Sequence, residues 1–175
     1  MKIKLYENDL PEKLDLGKIV AIDTETMGLN PIRDRLCLVQ LSSGNSVCHL
    51  VKINDLRKKP KNLISLLKNN SITKIFHYAR FDVAILKYTY KINILNIYCT
   101  KIASKIARTY TDRHGYKDLC KELLNLNISK IEQSSDWGGV LSKDQKKYAA
   151  TDVLHLHKIK KKLDIMLERE NRENI

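Results

Sequence analysis

The sequence predicts a single α/β domain on a mixed five-stranded sheet, antiparallel at first and parallel later, with helices on both faces. Residues 19–22 form an unbroken apolar run, which is typical of a strand buried on both sides. Strand patterns joined by short turns come first, and helical patterns alternate with strand patterns afterwards. The length of 175 residues suits one substantial core. We therefore expect residues 1–175 to form one domain.

The first part of the chain has the pattern of a strand meander. Residues 3–10 alternate loosely, and we expect a short strand or an ordered arm there. Stronger strand patterns follow at residues 18–26, 35–43 and 46–51. Gly44-Asn45 supplies a hairpin turn between the last two. Because the connections are short, these three strands are expected to pair antiparallel.

Helical spacing of apolar residues begins near residue 60 and alternates with shorter strand patterns. We predict strands at residues 72–76 and 92–98. We predict helices at residues 60–69, 79–90, 100–108 and 116–125, followed by an irregular stretch at 127–139. A final helix begins at the N-cap pattern of Ser142 and continues towards residue 168.

The composition indicates a basic protein. The formal net charge is +12, and a basic surface attracts polyanions, nucleic acid above all. The lysines are spread along the chain, so charge alone favours nucleic acid only modestly. No apolar run is long enough to cross a membrane, and the N-terminus lacks the apolar core of a signal peptide. We therefore expect a cytoplasmic protein with no membrane partner, whose four cysteines are reduced core thiols.

Two acids stand at the end of the first buried strand. Asp23 and Glu25 are two residues apart, so a strand directs both side chains to the same face. Two buried carboxylates repel each other and raise each other's pKa unless a cation lies between them. Mg²⁺ prefers carboxylate oxygens as ligands. This pair therefore predicts a divalent metal site.

Asp82 and Asp152 are further candidates, each with a plainer alternative. Asp82 falls in the first turn of the helix at 79–90, where the helix dipole alone favours a carboxylate. It could instead be a metal ligand at the sheet edge, where α/β folds place their sites. Tyr148 and Asp152 are four residues apart and share one face of the last helix. For Asp152, a solvated side chain or a partner for a nearby lysine is the alternative.

Taken together, Asp23-x-Glu25, Asp82 and Tyr148-x-x-x-Asp152 resemble the three motifs of the DEDD 3′→5′ exonucleases, which have an RNase H-like fold. The tyrosine four residues before the last aspartate resembles the DEDDy branch. The histidine branch carries a histidine one residue earlier, where this chain has a lysine. Within the tyrosine branch the chain resembles the catalytic domain of ribonuclease D. The matching segments are residues 35–40, 115–119, 133–137 and 148–153.

The resemblance extends over residues 18–165 and implies a short ribonuclease D-like exonuclease without C-terminal helical nucleic-acid-binding domains. It implies hydrolysis of RNA or DNA from the 3′ end, with release of nucleoside 5′-monophosphates by a two-metal-ion mechanism. The four acids would hold two divalent ions, Mg²⁺ or Mn²⁺, and Tyr148 would orient the attacking water. Because a tyrosine has an unperturbed pKa of about 10, it suits hydrogen bonding better than proton removal.

A second set of residues is expected to contact the substrate. These candidates are Thr26, Met27, Gly28, Leu29, His77, Arg113, His114 and Trp137. Residues 26–29 follow the first acids and could hold the terminal nucleotide, although local packing is an equal alternative for Leu29. A loop arginine and histidine could reach a phosphate, and Trp137 could stack on a base. The alternatives are a structural role for His77, a solvated loop for Arg113 and His114, and packing for Trp137. Gln40 lies on a strand, and we expect it to be structural.

Two other functions remain open. One is a catalytically weak nucleic-acid-binding module on the same fold. Degenerate domains of this kind usually lose an acid, and none is missing here, so an active exonuclease ranks first. The other is an endonuclease of the same fold, which would release longer products instead of mononucleotides.

Overall fold

The computed structural model of the protein describes residues 1–128 and 135–174. Within these residues six strands form one sheet, and six helices accompany it. The strands are β1 (Lys2–Glu7), β2 (Ile19–Thr26), β3 (Leu36–Ser42), β4 (Val47–Lys52), β5 (Thr73–Phe76) and β6 (Ile97–Cys99). The helices are α1 (Lys61–Lys68), α2 (Ala79–Tyr90), α3 (Thr100–Ala107), α4 (Tyr116–Leu124), α5 (Lys143–Leu154) and α6 (Leu156–Arg169). The predicted α/β fold class is confirmed.

The sheet has the strand order β1-β4-β3-β2-β5-β6. As predicted, β2, β3 and β4 pair antiparallel, while β5 and β6 continue the sheet in parallel with β2. The predicted count of five strands is wrong, because β1 adds a sixth strand parallel to β4. Most of the β1 side chains are exposed at this sheet edge, so the sequence shows little of the alternation that a half-buried strand would give.

Helices cover both faces of the sheet, as predicted. Successive residues of β2 alternate between the two cores. Val20 and Ile22 pack with Leu63 of α1 and other residues on one face, whereas Ala21 packs with Ala149 on the other. The first face is covered by α1 and α2, and the second by α3 to α6. Because Asp23 is two residues after Ala21, its side chain points to the same face, which α5 covers.

The long final helix of the prediction is two helices. The capping box at Ser142 starts α5 as expected, with Gln145 as its reciprocal partner. At His155 the backbone leaves α5 and enters α6. The second helix then packs against α3 and α4, while α5 lies on the sheet. Across residues 1–128 and 135–174 no helix has the length and apolar character needed to span a membrane.

Part of the chain matched by sequence motifs lies outside the described residues. The irregular stretch predicted at residues 127–139 is described at 127, 128 and 135–139. The ribonuclease D-like segment at residues 133–137 is described from residue 135 onward. The described portion carries Trp137 and the loop that leads into α5.

Candidate active site

Three carboxylates meet where β2 ends against α5. One oxygen each of Asp23, Glu25 and Asp152 lies within 4.8 Å of the other two. The helix reaches the sheet closely because Ala149 and Ala150 are fully buried and small. The alternation of β2 and the helical position of Asp152 thus bring acids from distant parts of the chain into one cluster. Their oxygens are close enough together to ligate a shared cation.

Asp82 stands beside this cluster and approaches it from the other face of the sheet. It lies in the first turn of α2, which has the predicted bounds, and its side chain is 2% exposed. Thr24, on the opposite side of β2 from Asp23, donates a hydrogen bond from Oγ1 to Asp82 Oδ1 over 2.7 Å. The negative charge of Asp82 raises the pKa of both Asp23 and Glu25. The four predicted acids therefore form one electrostatic unit.

Burial and mutual repulsion raise the pKa of these acids. Burial raises the pKa of Asp23 well above its usual value, and Asp82, Asp152 and Glu25 add to the shift. Burial, followed by the charges of Asp152 and Asp82, raises the pKa of Glu25 to about 9. Burial is also the main reason that the pKa of Asp82 rises to about 7. Such a cluster holds its full negative charge near neutral pH only when a cation compensates it.

Gln40 bridges the two acids of β2. Its Nε2 lies 3.2 Å from Asp23 Oδ2 and 3.2 Å from Glu25 Oε1. The sequence predicts a structural role for Gln40 and does not reveal this contact with the site. A signal was present in the sequence, because Gln40 is a polar residue within an otherwise apolar strand. Only the register, which places it opposite Asp23, reveals the contact.

Tyr148 lies one helical turn before Asp152, at the edge of the acid cluster. Burial raises the pKa of its hydroxyl above the usual value, and the charges of Asp152, Glu25 and Asp23 raise it further. The hydroxyl therefore stays protonated and can donate a hydrogen bond. The ring of Trp137 packs against it, with 6.1 Å between the ring centroids and 39° between the planes.

The loop after β2 exposes apolar side chains next to the acids. Leu29 is 84% exposed and Met27 is 51% exposed, so local packing does not account for Leu29. Thr26 Oγ1 donates a hydrogen bond to the Gly28 carbonyl. A Cβ at Gly28 would collide with the Asp34 carboxylate, which would have to shift. The loop thus presents an apolar surface beside the cluster.

Of the other residues expected to contact substrate, His77 has a protein partner, and His114 and Trp137 are buried. His77 Nδ1 lies 2.9 Å from Thr100 Oγ1. Arg113 is exposed, but His114 is buried. Trp137 is 2% exposed, which leaves no ring face open to a base. For His114 and Trp137, burial favours packing over the expected contact with substrate.

A buried carboxylate cluster at the end of an interior strand of a mixed sheet, with Asp82 and Tyr148 beside it, fits the metal-dependent nucleases. The chain belongs to the 3′-5′ exonuclease family, whose model matches residues 4–168. Among curated relatives, ribonuclease D of Gluconacetobacter diazotrophicus is 34% identical over 165 residues, which are 92% of this chain and 41% of that protein. The predicted resemblance to ribonuclease D is confirmed, although the chain spans about two fifths of the length of that relative.

Solved structures agree with this assignment. A structure of NrnC from Brucella melitensis with bound Mg²⁺ has a TM-score of 0.94 and 51% identity, covering 99% of this chain and 85% of that chain. A structure of the same protein bound to pGG has a TM-score of 0.94 and 53% identity, covering 98% and 84% of the respective chains. The identity with NrnC exceeds the identity with the ribonuclease D described above.

Proposed function

We propose that this chain is a metal-dependent 3′→5′ exonuclease that removes nucleoside 5′-monophosphates from the 3′ end of RNA or DNA. The observation that carries the proposal is the group of three carboxylates whose oxygens lie within 4.8 Å of one another, with Asp82 beside them. The similarity to NrnC, which has been solved with Mg²⁺ and with pGG, supports both the metal and the nucleic-acid ligand.

The donor set fits divalent metal ions. Asp23, Glu25, Asp82 and Asp152 offer oxygen ligands of the kind that Mg²⁺ and Mn²⁺ prefer. The raised pKa of Glu25, about 9, indicates a site whose negative charge lacks compensation by protein cations. Bound divalent ions would supply a water of lowered pKa and would stabilise charge on the departing 3′ oxygen. We propose two such ions, held by these four acids.

The chain's own groups then have separate tasks. Tyr148, protonated at neutral pH, would hydrogen-bond the attacking water and align it with the phosphorus. Hydrolysis breaks the bond between phosphorus and the 3′ oxygen. The water oxygen remains on the phosphate of the released nucleotide, and the shortened chain's 3′ oxygen takes up a proton. Leu29, exposed beside the acids, would support the terminal nucleotide.

The test is product analysis with an oligonucleotide labelled at its 5′ end, in which chromatography detects the released, unlabelled nucleotides. RNA and DNA substrates, each single-stranded and with a 3′ overhang, are incubated with Mg²⁺ or Mn²⁺. We expect a ladder shortened one nucleotide at a time from the 3′ end, with mononucleotide products. Glu25→Gln should abolish the ladder, whereas Glu12→Gln, at an exposed acid outside the cluster, should leave it unchanged.

Three results would contradict the proposal. Binding of the oligonucleotide without release of mononucleotides at saturating metal would indicate a binding module. Internal cleavage into long fragments would indicate an endonuclease. Undiminished degradation by Glu25→Gln would show that the acid cluster is not the source of the activity.

A further inference from the structure

We propose that Gln40 is a positioning residue of this site: its side-chain amide holds Asp23 and Glu25 at the separation and orientation in which they accept metal ions. The inference rests on the proposed function and adds a group that lies behind the acids. Gln40 touches the two carboxylates of β2 and would not touch substrate or the reacting atoms.

The register of the sheet places Gln40 for this task. On β3 it pairs directly with Asp23, while Glu25 pairs with Leu38 two residues away. One amide nitrogen therefore lies opposite one acid and diagonal to the other. It reaches Asp23 Oδ2 and Glu25 Oε1 at the same distance, 3.2 Å. Its two N–H donors can each serve one carboxylate.

The amide orientation follows from the charges around it. If the amide were turned over, Oε1 would face two carboxylate oxygens, and three acceptors would meet without a donor. The nitrogen must therefore face Asp23 and Glu25 whenever either acid is ionised. Gln40 thus supplies donors without adding a net charge to the site. A lysine there would compete with a bound cation, and a glutamate would add to the repulsion.

Burying the polar side chain of Gln40 lowers the stability of the folded state. The side chain is fully buried within β3, between Val39 and Leu41 on a strand of buried residues. Its Oε1 has no hydrogen-bond partner among the residues that the structure describes. A buried amide with an unsatisfied oxygen is unfavourable compared with a leucine or methionine of similar size. Contact with the two acids is the feature that an apolar residue could not replace.

The expected effect is on metal affinity. Ligating carboxylates are themselves hydrogen-bonded, and loss of such an outer partner typically weakens metal binding about 10- to 100-fold. Gln40→Met retains the length of the side chain and removes both donors. Gln40→Asn retains the amide but is one methylene shorter, so it can reach only one of the two acids.

The experiment measures Mn²⁺ binding by calorimetry in the absence of nucleic acid. We expect Gln40→Met to bind Mn²⁺ about 10- to 100-fold more weakly than wild type, and Gln40→Asn to lie between the two. In cleavage assays the half-saturating Mn²⁺ concentration should rise by a similar factor, and excess Mn²⁺ should restore most of the turnover. The control is Leu41→Ala, which removes packing from the same strand on the opposite sheet face and should bind Mn²⁺ as wild type does.

Each outcome has a distinct meaning. Unchanged Mn²⁺ affinity in a folded Gln40→Met protein would overturn the inference and leave the proposed function intact. If Gln40→Met does not fold, Gln40→Asn decides by the same criterion. If Leu41→Ala weakens Mn²⁺ binding as much as Gln40→Met, the effect is one of general stability and the inference fails. A wild-type protein that binds no Mn²⁺ would overturn the proposed function itself.

Discussion

Thr24 donates a hydrogen bond to Asp82 across 2.7 Å, joining the middle of β2 to the first turn of α2. Both side chains are buried, at 5% and 2% exposure. This bond fixes the fourth acid from the side of the sheet that does not carry the other three. It also lowers the pKa of Asp82 against the larger effect of burial, which raises it to about 7.

Thr24→Val should destabilise the metal-free protein more at pH 8 than at pH 5. The hydrogen bond favours ionised Asp82, so its loss raises the pKa of Asp82 further and matters most above the folded-state pKa of about 7. We expect a loss of about 1–3 kcal/mol at pH 8 and less at pH 5. Thermal melts in chelator measure the difference. Thr24→Ser, which retains the hydroxyl, is the control, and equal losses at both pH values would contradict the assignment.

Stability of the metal-free protein should fall as pH rises. The folded-state pKa of Glu25 is about 9, compared with a usual value of 4.5. Between these values the folded state holds a proton that the unfolded state has lost, so raising the pH favours unfolding. Asp82 contributes in the same direction up to about pH 7. Melting temperatures from pH 5 to 9 in chelator should decline, and saturating Mg²⁺ should reduce or reverse the decline, because protons compete with metal for the acids.

Glu25→Gln should stabilise the metal-free protein while it abolishes cleavage. A neutral amide at this position carries no charge, so it avoids the cost of burial and repulsion that raises the pKa of Glu25. We expect a gain on the order of 1–3 kcal/mol at pH 8, since one pKa unit corresponds to about 1.4 kcal/mol and partial exposure reduces the effect. This gain corresponds to a rise of roughly 2–12 °C in melting temperature. Glu12→Gln, the control, should leave the melting temperature unchanged. A Glu25→Gln variant that melts at the wild-type temperature would argue against repulsion in the cluster.

Tyr148→Phe should lower turnover about 100-fold and leave Mn²⁺ affinity close to that of wild type. The phenyl ring retains the packing on Trp137, so the protein should stay folded, and only the hydroxyl that would orient water is lost. Calorimetry and single-turnover cleavage measure the two properties separately. A variant that cleaves at the wild-type rate would remove Tyr148 from the proposed mechanism.

Leu29→Ala should weaken substrate binding without loss of stability. The side chain is 84% exposed, so its truncation should change the free energy of unfolding by less than about 0.5 kcal/mol. If Leu29 supports the terminal nucleotide, KM should rise about 5- to 30-fold, the equivalent of 1–2 kcal/mol. Ile32→Ala, 73% exposed, is the matched control. An equal rise in KM for Ile32→Ala would assign the effect to the apolar loop as a whole.

The sequence sufficed where the structural signal is local. The apolar run before Asp23 marked β2 to within one residue, and helical spacing gave the bounds of α2 that the structure has. The order of the acid motifs then indicated the family. These features depend on the chain's own neighbours, which is why one sequence reveals them.

The sequence was insufficient where pairing between distant residues decides the structure. Nothing near β1 specifies that it joins β4 in parallel, and the break at His155 carries no glycine or proline to mark it. The contact of Gln40 with Asp23 and Glu25 depends on the β2–β3 register. Burial of Trp137 depends on how the loop before α5 folds against the sheet.

The distance along the chain between the acids has a consequence for synthesis. Asp23, Glu25 and Asp82 leave the ribosome long before Asp152, which α5 carries near the C-terminal end of the sequence. Until that helix has emerged and docked on β2, the nascent polypeptide holds only part of the constellation. At translation rates of about 5–20 residues per second, the interval lasts several seconds. A nuclease assembled in this order would lack its complete acid cluster until α5 has been synthesised.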